Sequence, residues 1–304
     1  MEADLSVEIA GIRMKNPVMP ASGTFGYDKR LSSFDLSLLG AMVTKGTTLE
    51  PREGNDPPRI CKTAAGMINF IGLENPGAKR FIQHMIPELR KFGVPIIVNI
   101  CGAVTEEYEA LARMFDNVEG IAGLEVNISC PNTKEGGVAF GQDPRLTSEV
   151  VGRVRKATKL PLIVKLTPNV TNIVVAGRAA VEAGADALSL VNTLKARARI
   201  RTGPGAGRWI EGGLSGPAIM PVALKMVSDL AKAKLGVPII GIGGISSLEN
   251  ALDFFESGAD AIQVGTANFI NQRIMLEIIE GLRRYLQENG FTSFREFLQK
   301  SRNP

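Results

Sequence analysis

Eight short apolar runs, rich in β-branched residues and separated by stretches of helical spacing, constrain the fold of this chain more than any other feature. They are Pro17–Ser22, Ala41–Gly46, Pro95–Asn99, Gly123–Asn127, Pro161–Lys165, Ala187–Asn192, Pro238–Gly243 and Ala261–Gly265. Runs this continuously apolar belong to strands covered on both faces, which is how a parallel sheet under helices reads. Four of them open with Pro, tolerated at a first strand position because no ladder donor is needed there. Between the fifth and sixth runs, Val170 to Gly184 carries Val174, Val175, Ala179, Ala180 and Val181 at near-helical spacing and closes on Ala-Gly-Ala-Asp186. The same ending recurs as Ser257-Gly-Ala-Asp260 before the eighth run, a weak internal repeat that favours a closed barrel over an open sheet.

The fold expected is therefore α/β, a (β/α)8 TIM barrel forming one domain over residues 1–304, since no composition break marks a second. Leu5 to Met14 alternates and turns at Gly11, so a short hairpin precedes the first barrel strand. The connections Thr47 to Val94, Cys130 to Leu160 and Thr193 to Val237 exceed a minimal loop and helix, and in barrel enzymes such insertions build the substrate side. Arg273 to Glu288 reads as an amphipathic helix and Phe294 to Leu298 as a short terminal one.

Composition narrows the function. A formal charge of +4 is too small to argue for nucleic acid without a clustered basic face. The first residues lack a basic segment leading into an apolar one, and no run approaches the ~20 apolar residues of a bilayer crossing. A cytoplasmic protein is expected. Three cysteines, Cys61, Cys101 and Cys130, are too few for a disulfide framework and match no zinc spacing, so no metal is expected.

The C-terminal strand ends of such a barrel face the active site, and here they read Ser22, Lys45, Asn99, Asn127, Lys165 and Asn192, then Gly241-Ile-Gly-Gly244 and Gly265-Thr266. One Asn or Lys at a strand end is ordinary turn chemistry; six on one mouth point to a site. The glycines after the seventh and eighth runs leave backbone amides open to a phosphate. Lys45 and Lys165 suit electrostatic clamping, a Schiff base, or stabilisation of a reduced flavin edge. Cys130 lies in Asn127-Ile-Ser-Cys-Pro-Asn-Thr133, just past a strand end, where a thiol of ordinary pKa ~8.5 can abstract a proton near neutrality. Cys61 and Cys101 read as buried fillers. The only histidine, His84, sits in a helical stretch away from every strand end, against a Ser-His or Cys-His hydrolase. Lys195, Arg197, Arg199, Arg201 and Arg208, with Trp209, form a solvated or partner-facing loop, and Gly203 to Gly207 its flexible tip.

Five segments together resemble the class 1B dihydroorotate dehydrogenases, catalytic subunit: Met19 to Tyr27, Lys45 to Gly54, Gly66 to Gly77, Asn127 to Asn132 and Gly212 to Ala218. The resemblance implies an FMN-holding barrel that oxidises (S)-dihydroorotate to orotate in pyrimidine biosynthesis. By position it assigns FMN contacts to Ser22, Lys45, Gly46, Asn99, Asn127, Lys165, Val191, Gly216, Gly243, Gly244, Gly265 and Thr266. Substrate contacts fall on Lys45, Asn69, Phe70, Ile71, Gly72, Leu73, Asn127, Asn192 and Thr193. Cys130 falls on the base that removes the C5 proton while hydride passes from C6 to flavin N5, and Lys165 on the group stabilising the reduced flavin. The loop from Cys130 to Gly141 is implied to close over substrate.

The resemblance also implies a separate electron-transfer subunit carrying FAD and a [2Fe-2S] cluster, in a heterotetramer of two chains of each kind, delivering electrons to NAD. Cluster ligation needs four cysteines, more than this chain has. A class 1A enzyme using fumarate is less favoured by the Gly-Thr-Phe-Gly and Lys-Gly-Thr-Thr motifs. Two departures stand out: Met220 where the family commonly has Lys, and an arginine-rich Lys195 to Ile210. A tRNA-dihydrouridine synthase, a non-redox barrel acting on a sugar phosphate, and a catalytically silent binding barrel are the competing expectations.

Overall fold

The computed structural model describes residues 2–25, 34–128 and 137–302. Its strands in chain order are β1 (Val7–Ile9), β2 (Ile12–Met14), β3 (Val18–Pro20), β4 (Met42–Val43), β5 (Ile60–Thr63), β6 (Gly66–Asn69) and β7 (Ile96–Ile100), then β8 (Ile121–Asn127), β9 (Leu162–Lys165), β10 (Ala187–Leu190), β11 (Leu194–Arg199), β12 (Trp209–Ser215), β13 (Ile239–Ile242) and β14 (Ala261–Val264). Each of the eight expected runs supplies one strand of a single parallel sheet in the order β3-β14-β13-β10-β9-β8-β7-β4. Its two ends meet where the Gly40 N–H donates to the Val18 carbonyl at 2.9 Å, so the sheet curls into a (β/α)8 barrel.

The repeated Gly-Ala-Asp ending has a physical cause visible in both copies. Helices Ile173–Glu182 and Leu248–Glu256 each stop at a glycine with positive φ, Gly184 at 108° and Gly258 at 116°. The next N–H returns to the helix, Ala185 to the Ala180 carbonyl and Ala259 to that of Phe254, closing a Schellman cap. Each Asp then accepts from the first N–H of the neighbouring strand, Asp186 from Leu162 and Asp260 from Ile239, both at 2.8 Å. Arg155 and Arg302 neutralise these carboxylates, each at 2.9 Å. The motif is thus a joint that ends a helix and sets the register of a strand pair.

Strand side chains alternate, and the inward ones form layers. The lowest contains Met19, Val43, Ile97, Ile163, Ala187, Ile240 and Ala261, packed with Ile9, Ile12 and Met14 of the hairpin β1-β2 in one cluster. The hairpin therefore plugs the N-terminal end of the barrel. Its turn has positive φ at both central residues, Ala10 and Gly11, the geometry that matches strand twist. Outside, Val98, Val126, Val164, Leu188, Ile262 and Val264 face the helices and build the main core.

The stretch Lys195 to Trp209, expected as a loop, is corrected by the structure: Leu194–Arg199 is strand β11 and pairs antiparallel with β12. With β6 and β5 it makes a second, four-stranded sheet, β11-β12-β6-β5, which joins two of the long connections. Lys195, Arg197 and Arg199 occupy the exposed face of β11, with Arg197 4.6 Å over the Trp209 ring and 3.3 Å from Glu211. Gly203 to Gly207 form the exposed tip of this hairpin. No helix among the described residues is long and apolar enough to cross a membrane.

Candidate active site

At the C-terminal end of the barrel a cavity of about 330 Å³ opens, within the range of small-ligand sites. Ser22 follows β3, Lys45 and Gly46 follow β4, Asn127 and Lys165 end β8 and β9, and Val191, Asn192 and Thr193 follow β10; all line it. Gly243 and Gly244 after β13, and Gly265 and Thr266 after β14, line it too. The four-stranded sheet and its flanks close the other side with Ile60, Met67, Asn69, Ile71, Leu73, Ser215 and Gly216. Residues more than 200 positions apart in sequence meet there because every barrel strand ends at the same rim.

Gly243 and Gly244 have positive φ, 130° and 80°, and a Cβ on Gly244 would lie 2.6 Å from that of Met220. Only glycine fits that turn. Among the described residues, the N–H groups of Gly243, Gly244 and Gly265 donate to no backbone carbonyl. Unused amides gathered after the seventh and eighth strands are a cradle for a phosphate, so the residues present fit a phosphorylated cofactor.

Polar side chains complete the walls. Asn192 donates to the Asn127 Oδ1 at 3.3 Å, and Tyr108 donates its hydroxyl to the Asn127 carbonyl at 2.9 Å, fixing the end of β8. Asn69 donates to the Gly213 carbonyl at 3.2 Å. Lys45 pairs with Glu74 at 3.3 Å, and Arg59 reaches the same oxygen at 3.3 Å. The Lys45 hydrogen bond, with help from Arg59, holds the Glu74 carboxyl below the ordinary range for a glutamate.

Not every expected residue lines the cavity. Asn99 is fully buried one layer lower, donating to Glu125 at 2.6 Å. Phe70 packs against the small cluster of Cys61, Ile68, Ile200 and Ile210, and Gly72 makes a tight turn against Asn55. Cys130 lies outside the described residues, as does the start of the loop expected to close over substrate. Cys61 and Cys101 are buried, as expected, and His84 sits exposed on a helical segment away from the cavity.

The structure adds residues the sequence reading passed over. Glu74, Ser215 and Phe269 line the cavity, and Glu125, Ser189 and Gln263 lie beneath it, wholly buried. The signal for the last three was a polar residue inside an apolar run, two positions after an inward-facing small or apolar one. A wider depression of about 1340 Å³ at the opposite end meets β10 and β13 at their beginnings, Leu188 and Ile239, not at their C-terminal ends.

Residues 4–286 match the family model for dihydroorotate dehydrogenase. The chain belongs to the dihydroorotate dehydrogenase family. It is 52% identical over 297 residues, 97% of each chain, to the Geotalea uraniireducens dihydroorotate dehydrogenase B (NAD(+)), catalytic subunit. The proteins of the same description from Desulforamulus reducens and Thermoanaerobacter pseudethanolicus are 50% and 46% identical, over 98% and 97% of this chain and 98% of each relative. Membership in this family of oxidoreductases agrees with the barrel, with the strand-end polar groups and with the glycine cradle after its last two strands.

Proposed function

We propose that this chain oxidises (S)-dihydroorotate to orotate on an FMN held at the barrel mouth, as the catalytic subunit of an NAD-linked enzyme. The observation that carries the reading is the convergence of Lys45, Asn127, Lys165, Asn192 and the glycine amides on one cavity, in a chain similar over its full length to such subunits. FMN would supply the hydride acceptor for the C6–H bond.

The chain's own groups do the rest. Gly243, Gly244, Gly265 and Thr266 bind the phosphate through backbone amides, with Ser22, Gly46, Val191 and Gly216 around the cofactor. Lys165, 4% exposed and lining the cavity, would offer its ammonium to a flavin held there and stabilise the charge of the reduced form. Asn69, Asn127 and Asn192 each offer an amide donor and acceptor to the ring amides of the substrate, and Lys45 offers a cation to its carboxylate. Cys130 takes the C5 proton at its sulfur. The relatives are named catalytic subunits, which supports a separate partner; we assign FAD and [2Fe-2S] to that partner, in a heterotetramer with this chain, in the cytoplasm.

The test is a visible spectrum of the purified chain, then dihydroorotate added without oxygen. A flavin band at roughly 450 nm that bleaches is the expected result. A yellow protein that stays oxidised points to another substrate, and a colourless one to a non-redox barrel. Cys130→Ala should keep the band and lose about 10²–10⁴-fold in its rate of bleaching at neutral pH.

A further inference from the structure

Directly beneath the cavity the barrel carries a polar layer instead of an apolar one. Asn99, Glu125, Lys165, Ser189 and Gln263 come from β7, β8, β9, β10 and β14, and each is at most 4% exposed. Glu125 is the hub. Its Oε1 accepts from Asn99 Nδ2 at 2.6 Å and lies 3.4 Å from Lys165 Nζ. Its Oε2 accepts from Gln263 Nε2 at 2.7 Å and from Ser189 Oγ at 2.9 Å. Gln263 Oε1 also lies 3.4 Å from Lys165 Nζ.

A carboxylate taken wholly out of water persists only with such a set of donors and a counter-ion. The arrangement is unequal: three neutral donors hold Glu125 at short range, whereas both contacts to the ammonium are long. Lys165 is tethered from below and keeps donor capacity for the cavity it lines. We propose that Glu125 is a positioning residue, which fixes the Lys165 ammonium under the cofactor and balances its charge, and so sets how readily the cofactor is reduced. This role rests on the reading that Lys165 meets the flavin.

The charge argument fixes the direction of the effect. Glu125→Gln removes an anion next to Lys165, leaves the ammonium unopposed and favours the more negative, reduced cofactor. The variant, loaded with FMN, is expected to show a more positive midpoint potential, by at least a tenfold change in the oxidised-to-reduced ratio, about 30 mV for a two-electron couple. In a Lys165→Ala background the same substitution should move the potential little. With no ammonium left for Glu125 to place or balance, the substitution can act on the cofactor only directly, from the layer beneath the cavity. A double-mutant cycle on the potential therefore shows strong coupling.

A merely structural role would lower the melting temperature and leave the potential in place. A potential within twofold of wild type in that ratio, or an equal shift with and without Lys165, overturns the proposal. If Glu125→Gln does not fold, Glu125→Asp withdraws the charge by one methylene, and a smaller shift of the same sign is expected; an unmoved potential again overturns it. A wild-type chain that takes up no FMN overturns the underlying reading, whereas a yellow wild type with an unresponsive Glu125 overturns this role alone.

Discussion

Gly40 shows how much of a barrel can hang on one missing side chain. It joins the first and second barrel strands, and a Cβ there would lie 2.1 Å from the Asn16 carbonyl oxygen and 3.1 Å from that of Val18. Backbone cannot yield as a flexible side chain does, so Gly40→Ala should cost about 1–3 kcal/mol, read as a lower urea midpoint with an unchanged slope. At the opposite rim, Lys165→Ala should weaken FMN binding or lower the flavin potential; unchanged occupancy and potential would remove Lys165 from the site. That lysine was legible in the sequence because it ends an apolar run. Glu125 was not, because its meaning depends on which face of β8 points inward and on donors from four other strands.

At the element scale, the helix Phe294–Ser301 begins with a cap that depends on charge. Ser293 Oγ accepts from the Glu296 N–H, while Glu296 accepts from the Thr292 N–H and hydroxyl at 2.9 Å and pairs with Lys300 at 2.8 Å. The Lys300 hydrogen bond, then those from Thr292, push the Glu296 carboxyl down to about 2 from an ordinary 4.5. A lowered carboxyl contributes stability that is complete above its unfolded pKa and disappears as pH falls through the folded one. Glu296→Gln should therefore melt below wild type at pH 6, and the two curves should converge as pH falls from 4.5 to 2. The barrel strands were legible because strands covered on both faces read as apolar runs. The strands β5, β6, β11 and β12 were not: Ile60-Cys-Lys-Thr and Leu194-Lys-Ala-Arg-Ala-Arg alternate small, apolar and charged residues, and although β5 pairs with β6 and β11 with β12 close by, the β12–β6 pairing that makes them one sheet joins segments about 145 residues apart.

For the whole molecule, closure of the sheet brings the strand ends into one ring, and the hairpin plugs the N-terminal end of the barrel, opposite the mouth that holds the cavity. A ligand seated in that mouth touches nearly every strand and binds only the folded chain. Adding FMN to the flavin-free protein at 100 times its dissociation constant should stabilise it by about 2.7 kcal/mol and raise the melting temperature by a few degrees. A melting temperature indifferent to FMN would place the cofactor elsewhere.

Local pattern was enough to read the eight strands, the hairpin before them, the helix-ending Gly-Ala-Asp segments and most strand-end residues of the rim, because each is encoded in hydrophobic period, turn chemistry or strand-end position. It took the folded chain to show that the hairpin plugs the barrel floor, that two distant insertions pair into one sheet over the mouth, that Lys45 and Arg59 meet on Glu74, and that five buried polar groups converge beneath the cavity. Those are contacts between segments whose local patterns are indifferent to one another, and their energy exists only once the barrel has closed and excluded water from between them.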